Sequence, residues 1–192
     1  MKIHYTNKHL HAWLHTIMRS MQHWKFKPDY IVGITRGGLI PATMLSHYLE
    51  VPMHTLDVSF RDSGMGPESN LWLAEDAFGY VPAEERQDAE FEITHLPVKG
   101  DPSDPKRRKK ILIVDDINDS GRTLQWIKDD WESGCFPKSE IWNDIWHHNV
   151  QFAVMVENTA SSFKGVDFCG TEINKVETPC WVVFPWENWW EN

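Results

Sequence analysis

The chain has 192 residues, which is enough for one domain with a complete hydrophobic core. Its formal net charge of −9 argues against a nucleic-acid-binding surface, and no apolar run is long enough to span a membrane. The three cysteines lack metal-type spacing and no secretory leader is visible, so we expect free thiols in a cytoplasmic protein.

Helix and strand patterns alternate along the first part of the sequence. Apolar side chains at helical spacing predict an amphipathic helix over residues 9–24. Residues 30–35 form a short apolar run that is typical of a buried strand. A glycine-rich turn then leads into a predicted helix over residues 39–49, and a second strand is predicted over residues 52–58.

The segment from residue 59 to residue 110 is the least regular part of the sequence. It is rich in Gly and Pro, and we interpret it as a long, flexible lid insertion with one strand near residues 91–96. The pattern then resumes with a predicted strand over residues 111–114 and a predicted helix over residues 123–132. A further segment covers residues 139–148, and another strand is predicted over residues 150–156. Residues 175–192 form an aromatic-rich tail.

Strands that alternate with helices are typical of an α/β fold with a mainly parallel sheet flanked by helices. We expect a single domain over residues 1–192. In such sheets the ligand crevice lies beyond the carboxyl ends of the strands. Two unusual turns, after Thr35 and after Val114, follow predicted strands at such ends. We therefore expect both turns to belong to one site.

The segment from Ile111 to Leu124 is the most informative part of the chain. Its buried strand leads to adjacent carboxylates, Asp115 and Asp116, and the helix that follows is preceded by an Asp-Ser-Gly-Arg-Thr turn. Backbone N–H groups of such a turn can hold a phosphate, and paired carboxylates can bind vicinal hydroxyls or a divalent metal. The alternative is a plain strand–turn–helix connection in which Asp119 caps the helix.

A second motif runs from Gly33 to Ala42. Its Arg36 is flanked by a polar residue and two glycines at the end of a strand, so it can present a guanidinium and bare N–H groups to one anion. Alone this signal is weak, because Gly-Gly turns are common.

Together, and in this order, the two motifs resemble the pyrophosphate loop and the phosphoribosyl-pyrophosphate (PRPP) signature of type I phosphoribosyltransferases. The resemblance implies that the loop binds pyrophosphate, with Arg36 as a catalytic residue; the loop residues are Thr35, Arg36, Gly37 and Gly38. It also implies that Asp115 and Asp116 bind the ribose and Mg²⁺. Asp119 would act as general base or acid at a purine nitrogen. The residues that follow it, Ser120, Gly121, Arg122 and Thr123, would bind the 5′-phosphate.

The tail from Trp181 to Glu187 resembles the C-terminal hood of xanthine-guanine phosphoribosyltransferases. This implies that Trp181 stacks on the purine, that the Val182 backbone reads the ring edge and that Glu187 assists at the metal or the base. The alternative is that Trp181 closes the edge of the core. Ser59 and Phe60 resemble, less closely, the Ser-Tyr pair that opens the lid of purine-salvage members.

One departure from the family pattern concerns the base. Purine members carry a Lys after the strand that follows the signature helix, where it binds the 6-oxo group. This chain has Glu157 and Asn158 there, and Lys164 lies further along. The identity of the acceptor base is therefore left open.

We predict a Mg²⁺-dependent purine phosphoribosyltransferase of the hypoxanthine/xanthine-guanine group. It would convert PRPP and hypoxanthine, guanine or xanthine into a nucleoside monophosphate and pyrophosphate, in purine salvage. We expect a homo-oligomer, a dimer or tetramer, with neither nucleic acid nor a membrane as partner. The alternatives are a PRPP-sensing regulatory protein without turnover and a transferase for a non-purine base.

Overall fold

The computed structural model describes residues 1–58, 67, 69–85, 102–187 and 189–191. Its main sheet is made of the strands β2 (Tyr30–Ile34), β3 (Met53–Leu56), β4 (Ile111–Asn118), β5 (Val150–Asn158) and β6 (Phe168–Ile173). Their order across the sheet is β3-β2-β4-β5-β6, and every neighbouring pair is parallel. The predicted α/β fold with a mainly parallel sheet is confirmed.

Helices cover both faces of this sheet. The helices are α1 (Asn7–His23), α2 (Leu39–Leu49), α3 (Leu71–Phe78), α4 (Arg122–Gly134) and α5 (Trp142–Ile145). The first two share one hydrophobic core with the sheet, and the last three share the other. Successive strand residues point to opposite faces, so Ile31 packs into the first core and Val32 into the second.

A second, smaller sheet joins the two ends of the chain. Strand β1 (Lys2–His4) pairs in parallel with β7 (Trp181–Val183), and the Tyr5 N–H donates to the Val183 carbonyl at 3.0 Å. Two short 3₁₀ turns, Ala83–Glu85 and Trp189–Glu191, complete the regular structure of the described residues.

The predicted insertion over residues 59–110 contains a helix that the sequence analysis missed. Four residues of α3 are buried, and Phe78 packs in the second core against α4 and α5. The strand predicted near residues 91–96 and the Ser59-Phe60 pair lie outside the described residues. No helix within the described part of the chain is long and apolar enough to cross a membrane.

Strand β4 is longer than its neighbour β2, and this difference creates room for a site. The pairing of β2 with β4 ends at Gly33 and Val114, whereas the pairing of β4 with β5 continues to Asn118. The last four residues of β4 therefore extend beyond the part that is paired with β2, beside the turn that leads into α2.

Candidate functional site

The turn between β2 and α2 packs closely against the extended end of β4. A Cβ atom at Gly37 would lie 1.8 Å from Oδ2 of Asp116, and one at Gly38 would lie 2.3 Å from the carbonyl oxygen of Val114. Position 38 therefore requires glycine, and a side chain at position 37 would have to displace the Asp116 carboxylate. As the sequence analysis expected, the two motifs lie together at one edge of the sheet.

The same turn carries a polar pair and a basic side chain. The Thr35 hydroxyl donates to Oδ1 of Asp57 at 2.9 Å, which ties the turn to the end of β3. The Thr35–Arg36 peptide bond is cis, and the Arg36 side chain is exposed. Asp57 had not been identified from the sequence, because it lies directly after β3 without a motif of its own.

The two adjacent carboxylates of β4 have different surroundings. Asp115 is only 9% exposed, and its Oδ1 accepts the Asp116 N–H at 2.9 Å. Burial, together with the charge of Asp116, raises the pKa of Asp115 well above its ordinary value. Burial and the charge of Glu187 raise the pKa of Asp116 to about 6. The ion pairs between described residues include neither carboxylate.

Asp115 and Asp116 fit a divalent cation by the chemistry of their donor atoms. Mg²⁺ prefers oxygen ligands and is usually held by one or two carboxylates together with substrate phosphates. Among the described residues, no group of three or more His, Cys, Asp or Glu side chains is placed to hold a metal ion. The assignment of Asp115, Asp116 and Glu187 as metal ligands stays a prediction.

The turn between β4 and α4 is held in place by the segment that follows β5. The Ser120 carbonyl accepts hydrogen bonds from the Ser162 N–H at 3.2 Å and from the Ser162 hydroxyl at 2.7 Å. Gly121 has φ +89°, and a Cβ atom there would lie 2.5 Å from the Phe163 nitrogen, so this position also requires glycine.

Helix α4 begins immediately after this glycine. Gly121 occupies the N-cap position and has no side chain to cap the first turn, which contains Arg122 and half-buried Thr123. The start of a helix carries N–H groups and the positive end of the helix dipole, and both favour an anion. The alternative role of Asp119 as helix cap is wrong, because Gly121 holds that position.

Asp119 instead forms an ion pair with a lysine that the sequence analysis missed. Its Oδ1 lies 2.9 Å from Nζ of Lys175, and the two side chains are 38% and 16% exposed. The Asn158 side chain bridges the two segments, since its Nδ2 donates to the Asp119 carbonyl at 2.9 Å and its Oδ1 accepts the Lys175 N–H at 3.1 Å.

Lys164, the other lysine after β5, points to a different partner. Its Nζ donates to the Thr159 carbonyl at 2.5 Å. Glu157 accepts a hydrogen bond from Asn118 Nδ2 at 3.0 Å, and burial raises the pKa of Glu157. The lysine that lies beside Asp119 therefore comes from the segment between β6 and β7.

The hood presents an aromatic ring and an acidic group. Trp181 is 52% exposed, whereas the neighbouring Val182 is buried in the core shared with α1 and α2. This exposure contradicts the alternative that the ring of Trp181 closes the edge of the core. Glu187 accepts the Phe184 N–H at 3.0 Å, and its charge acts on Asp116 across the site.

Comparisons with known proteins agree with this arrangement. Residues 5–132 match the model of the phosphoribosyl transferase domain. A xanthine-guanine phosphoribosyltransferase of Ruegeria sp. (strain TM1040) is 27% identical over 167 residues, which are 86% of this chain and 69% of that relative.

Solved structures have the same fold. A purine phosphoribosyltransferase from Pyrococcus horikoshii Ot3 gives a TM-score of 0.59 at 24% identity, covering 97% of this chain and 94% of that one. The xanthine-guanine-hypoxanthine phosphoribosyltransferase of Helicobacter pylori gives a TM-score of 0.58 at 18% identity, covering 100% of this chain and 97% of that one. The predicted likeness to type I phosphoribosyltransferases of the hypoxanthine/xanthine-guanine group is confirmed, and the chain belongs to the phosphoribosyl transferase domain family.

Proposed function

We propose that this chain transfers the 5-phosphoribosyl group of PRPP to a purine base, releasing pyrophosphate and a nucleoside monophosphate. The observation that carries the proposal is the close approach of the two motifs at the end of β4, where Gly37 lies against Asp116. The turn after β2, the carboxylates of β4 and the turn before α4 would then receive the pyrophosphate end, the ribose and the 5′-phosphate of PRPP in that order.

In this proposal the pyrophosphate end of PRPP lies at the turn between β2 and α2. The exposed Arg36 guanidinium and the Gly37 N–H group would neutralise the departing anion, whereas the Gly38 N–H already donates to the Ile34 carbonyl at 3.0 Å. The 5′-phosphate would lie at the start of α4, where Gly121 allows close backbone approach. The ribose hydroxyls would face Asp115 and Asp116.

The reaction breaks the bond from the sugar C1 to the pyrophosphate oxygen and forms a bond from C1 to a ring nitrogen of the base. The proton of that heterocycle would pass to the Asp119 carboxylate. Bound Mg²⁺ would supply charge compensation for the pyrophosphate, held by Asp115 and Asp116. Most of the rate enhancement would come from positioning and electrostatic stabilisation.

A purine acceptor is supported by the exposed face of Trp181 and by the names of the relatives. An aromatic ring of this kind suits a flat heterocycle. The xanthine-guanine enzyme of Ruegeria and the purine enzyme of Pyrococcus both act on purines by name. Guanine, xanthine and hypoxanthine are therefore the first bases to test. The proposed role of the protein is purine salvage.

The test is product detection with PRPP, Mg²⁺ and a panel of bases that includes the three oxopurines, adenine, uracil and orotate. We expect nucleotide formation from at least one oxopurine. Turnover with a pyrimidine alone would contradict the purine assignment. Tight PRPP binding without product from any base would favour the alternative of a PRPP sensor. The observation that supports this alternative is that Glu157 stands where the family has its base-reading Lys.

A further inference from the structure

The ion pair between Asp119 and Lys175 joins two segments that are distant in the sequence. Asp119 precedes α4, whereas Lys175 lies between the edge strand β6 and the hood strand β7. The Lys175 side chain is only 16% exposed. Lysine is rarely buried to this extent without a partner that compensates for the lost hydration of its ammonium group.

A buried amide fixes the backbone on both sides of this ion pair. Asn158 is 6% exposed, and its Nδ2 donates to the Asp119 carbonyl at 2.9 Å. Its Oδ1 accepts the N–H groups of Lys175 at 3.1 Å and of Ala160 at 3.2 Å. The amide of Asn158 therefore clamps the main chain of both charged partners, in addition to the contact between their side chains.

Resting on the proposed function, we propose that Lys175 is a positioning residue for Asp119 and that Asn158 is the clamp that places the two together. The ammonium group holds the Asp119 carboxylate in one orientation before the base arrives. The carboxylate is 38% exposed, so it can still receive a proton from a bound base. Supporting side chains of this kind maintain the geometry on which proton transfer depends.

The competing explanation is a surface ion pair that adds a little stability and nothing to the reaction. The two explanations differ in how the residues depend on one another. If Lys175 acts through Asp119, its removal should matter only while the Asp119 carboxylate is present. A lysine whose ion pair serves stability alone would leave the kcat of the folded protein unchanged, whatever residue stands at position 119.

A double-mutant cycle on kcat tests this dependence. We expect Lys175→Met to lower kcat by about tenfold, on the scale that a small misplacement of a catalytic group produces. In the Asp119→Asn background the same substitution should change kcat by less than about twofold. Equal losses in both backgrounds would overturn the proposal. Lys164→Met is the matched control, because it removes a nearby lysine whose partner is the Thr159 carbonyl.

The clamp is tested with Asn158→Asp, which keeps the acceptor for the Lys175 and Ala160 N–H groups and loses the donor to the Asp119 carbonyl. We expect a fall in kcat with little change in the KM for PRPP. Should this variant and Lys175→Met both retain the full kcat of the parent chain, the proposal is wrong. Thermal unfolding of each variant establishes that the comparison is made on folded protein.

A binding experiment separates the failure of this proposal from the failure of the proposed function. Calorimetry with Mg²⁺ compares guanosine monophosphate with ribose 5-phosphate, on the parent chain and on Lys175→Met. We expect the variant to bind the nucleotide about tenfold more weakly and ribose 5-phosphate equally well. This result would support the positioning role even if no base were turned over. Equal changes for both ligands, or none, would contradict it.

Discussion

Gly37 and Asp116 are in such close contact that the space for a methyl group on the glycine is already filled by the carboxylate. A Cβ atom at Gly37 would lie 1.8 Å from Oδ2 and 2.4 Å from Cγ of Asp116. The positions of the turn after β2 and of the acidic end of β4 therefore depend on each other. A change in the turn must displace a carboxylate that the proposed reaction assigns to the ribose and the metal.

We expect Gly37→Ala to weaken PRPP binding by about tenfold or more, since displacing a packed group typically costs about 1–3 kcal/mol. Calorimetric titration with PRPP and Mg²⁺ measures the effect. Gly134→Ala is a matched control at the end of α4, where the atoms nearest to the added methyl group belong to the flexible end of the Leu71 side chain. Unchanged affinity in Gly37→Ala would show that this contact has no role in binding.

Asp119→Asn should lower turnover by at least about a hundredfold, the usual scale of acid–base assistance. The amide keeps the shape of the side chain but cannot accept the proton of the base. Steady-state kinetics with the preferred oxopurine provides the measurement. Asp129→Asn, on the exposed face of α4, serves as the control. If the rate hardly changes in Asp119→Asn, another group receives the proton.

Arg36→Ala should weaken inhibition by pyrophosphate more than it weakens binding of the nucleoside monophosphate. The guanidinium is assigned to the departing anion, and charge-assisted hydrogen bonds of this type contribute about 1.5–3 kcal/mol. The comparison requires the inhibition constant of pyrophosphate and the dissociation constant of the nucleotide. Arg19→Ala, at an exposed position on α1, is the control. Equal losses for both ligands would argue against the assignment.

Asp116 makes the stability of the unliganded protein depend on pH. Its pKa is about 6 in the folded protein, compared with about 3.9 in an unfolded chain. Between these values the folded state binds more protons, so the contribution of this group to the free energy of unfolding falls as the pH rises from about 4 to about 6. Above that range the folded state keeps an unfavourable, partly buried charge.

We therefore expect Asp116→Asn to raise the free energy of unfolding at pH 7.5 by about 1–3 kcal/mol and to change it little at pH 4. Urea unfolding at the two pH values provides the measurement. Added Mg²⁺ should stabilise the parent chain at pH 7.5 more than it stabilises the variant, because a bound cation compensates the same charge. A variant with the same gain at both pH values would show that burial of this charge is not the cause.

The two central strands that the sequence predicted, β2 and β4, are buried on both sides. All five residues of β2 and the first five of β4 are buried, so both strands begin as continuous apolar runs. The edge strand β6 mixes half-buried Cys, Gly and Thr with an exposed Glu and was missed, as was the three-residue β1. Helix α3 was missed because its apolar pattern is short and lies among Gly and Pro residues.

The residues of the candidate site likewise fall into those that the sequence predicted and those that it did not. Gly37, Asp116 and Gly121 lie in compact motifs whose chemistry is visible over a few residues. Lys175 and Asn158 are not part of any such motif, because their contacts with Asp119 are made between segments that only the sheet order brings together. Neither periodicity nor spacing in one sequence indicates such a contact.

The pairing of β1 with β7 has a practical consequence for work on this protein. The Trp181 N–H donates to the Met1 carbonyl at 2.8 Å, and Lys2 lies in register with Trp181. An affinity tag or fusion partner joined ahead of Met1 would thus lie beside the ring proposed to face the acceptor. Substrate preferences should be compared only between preparations whose first residues are identical.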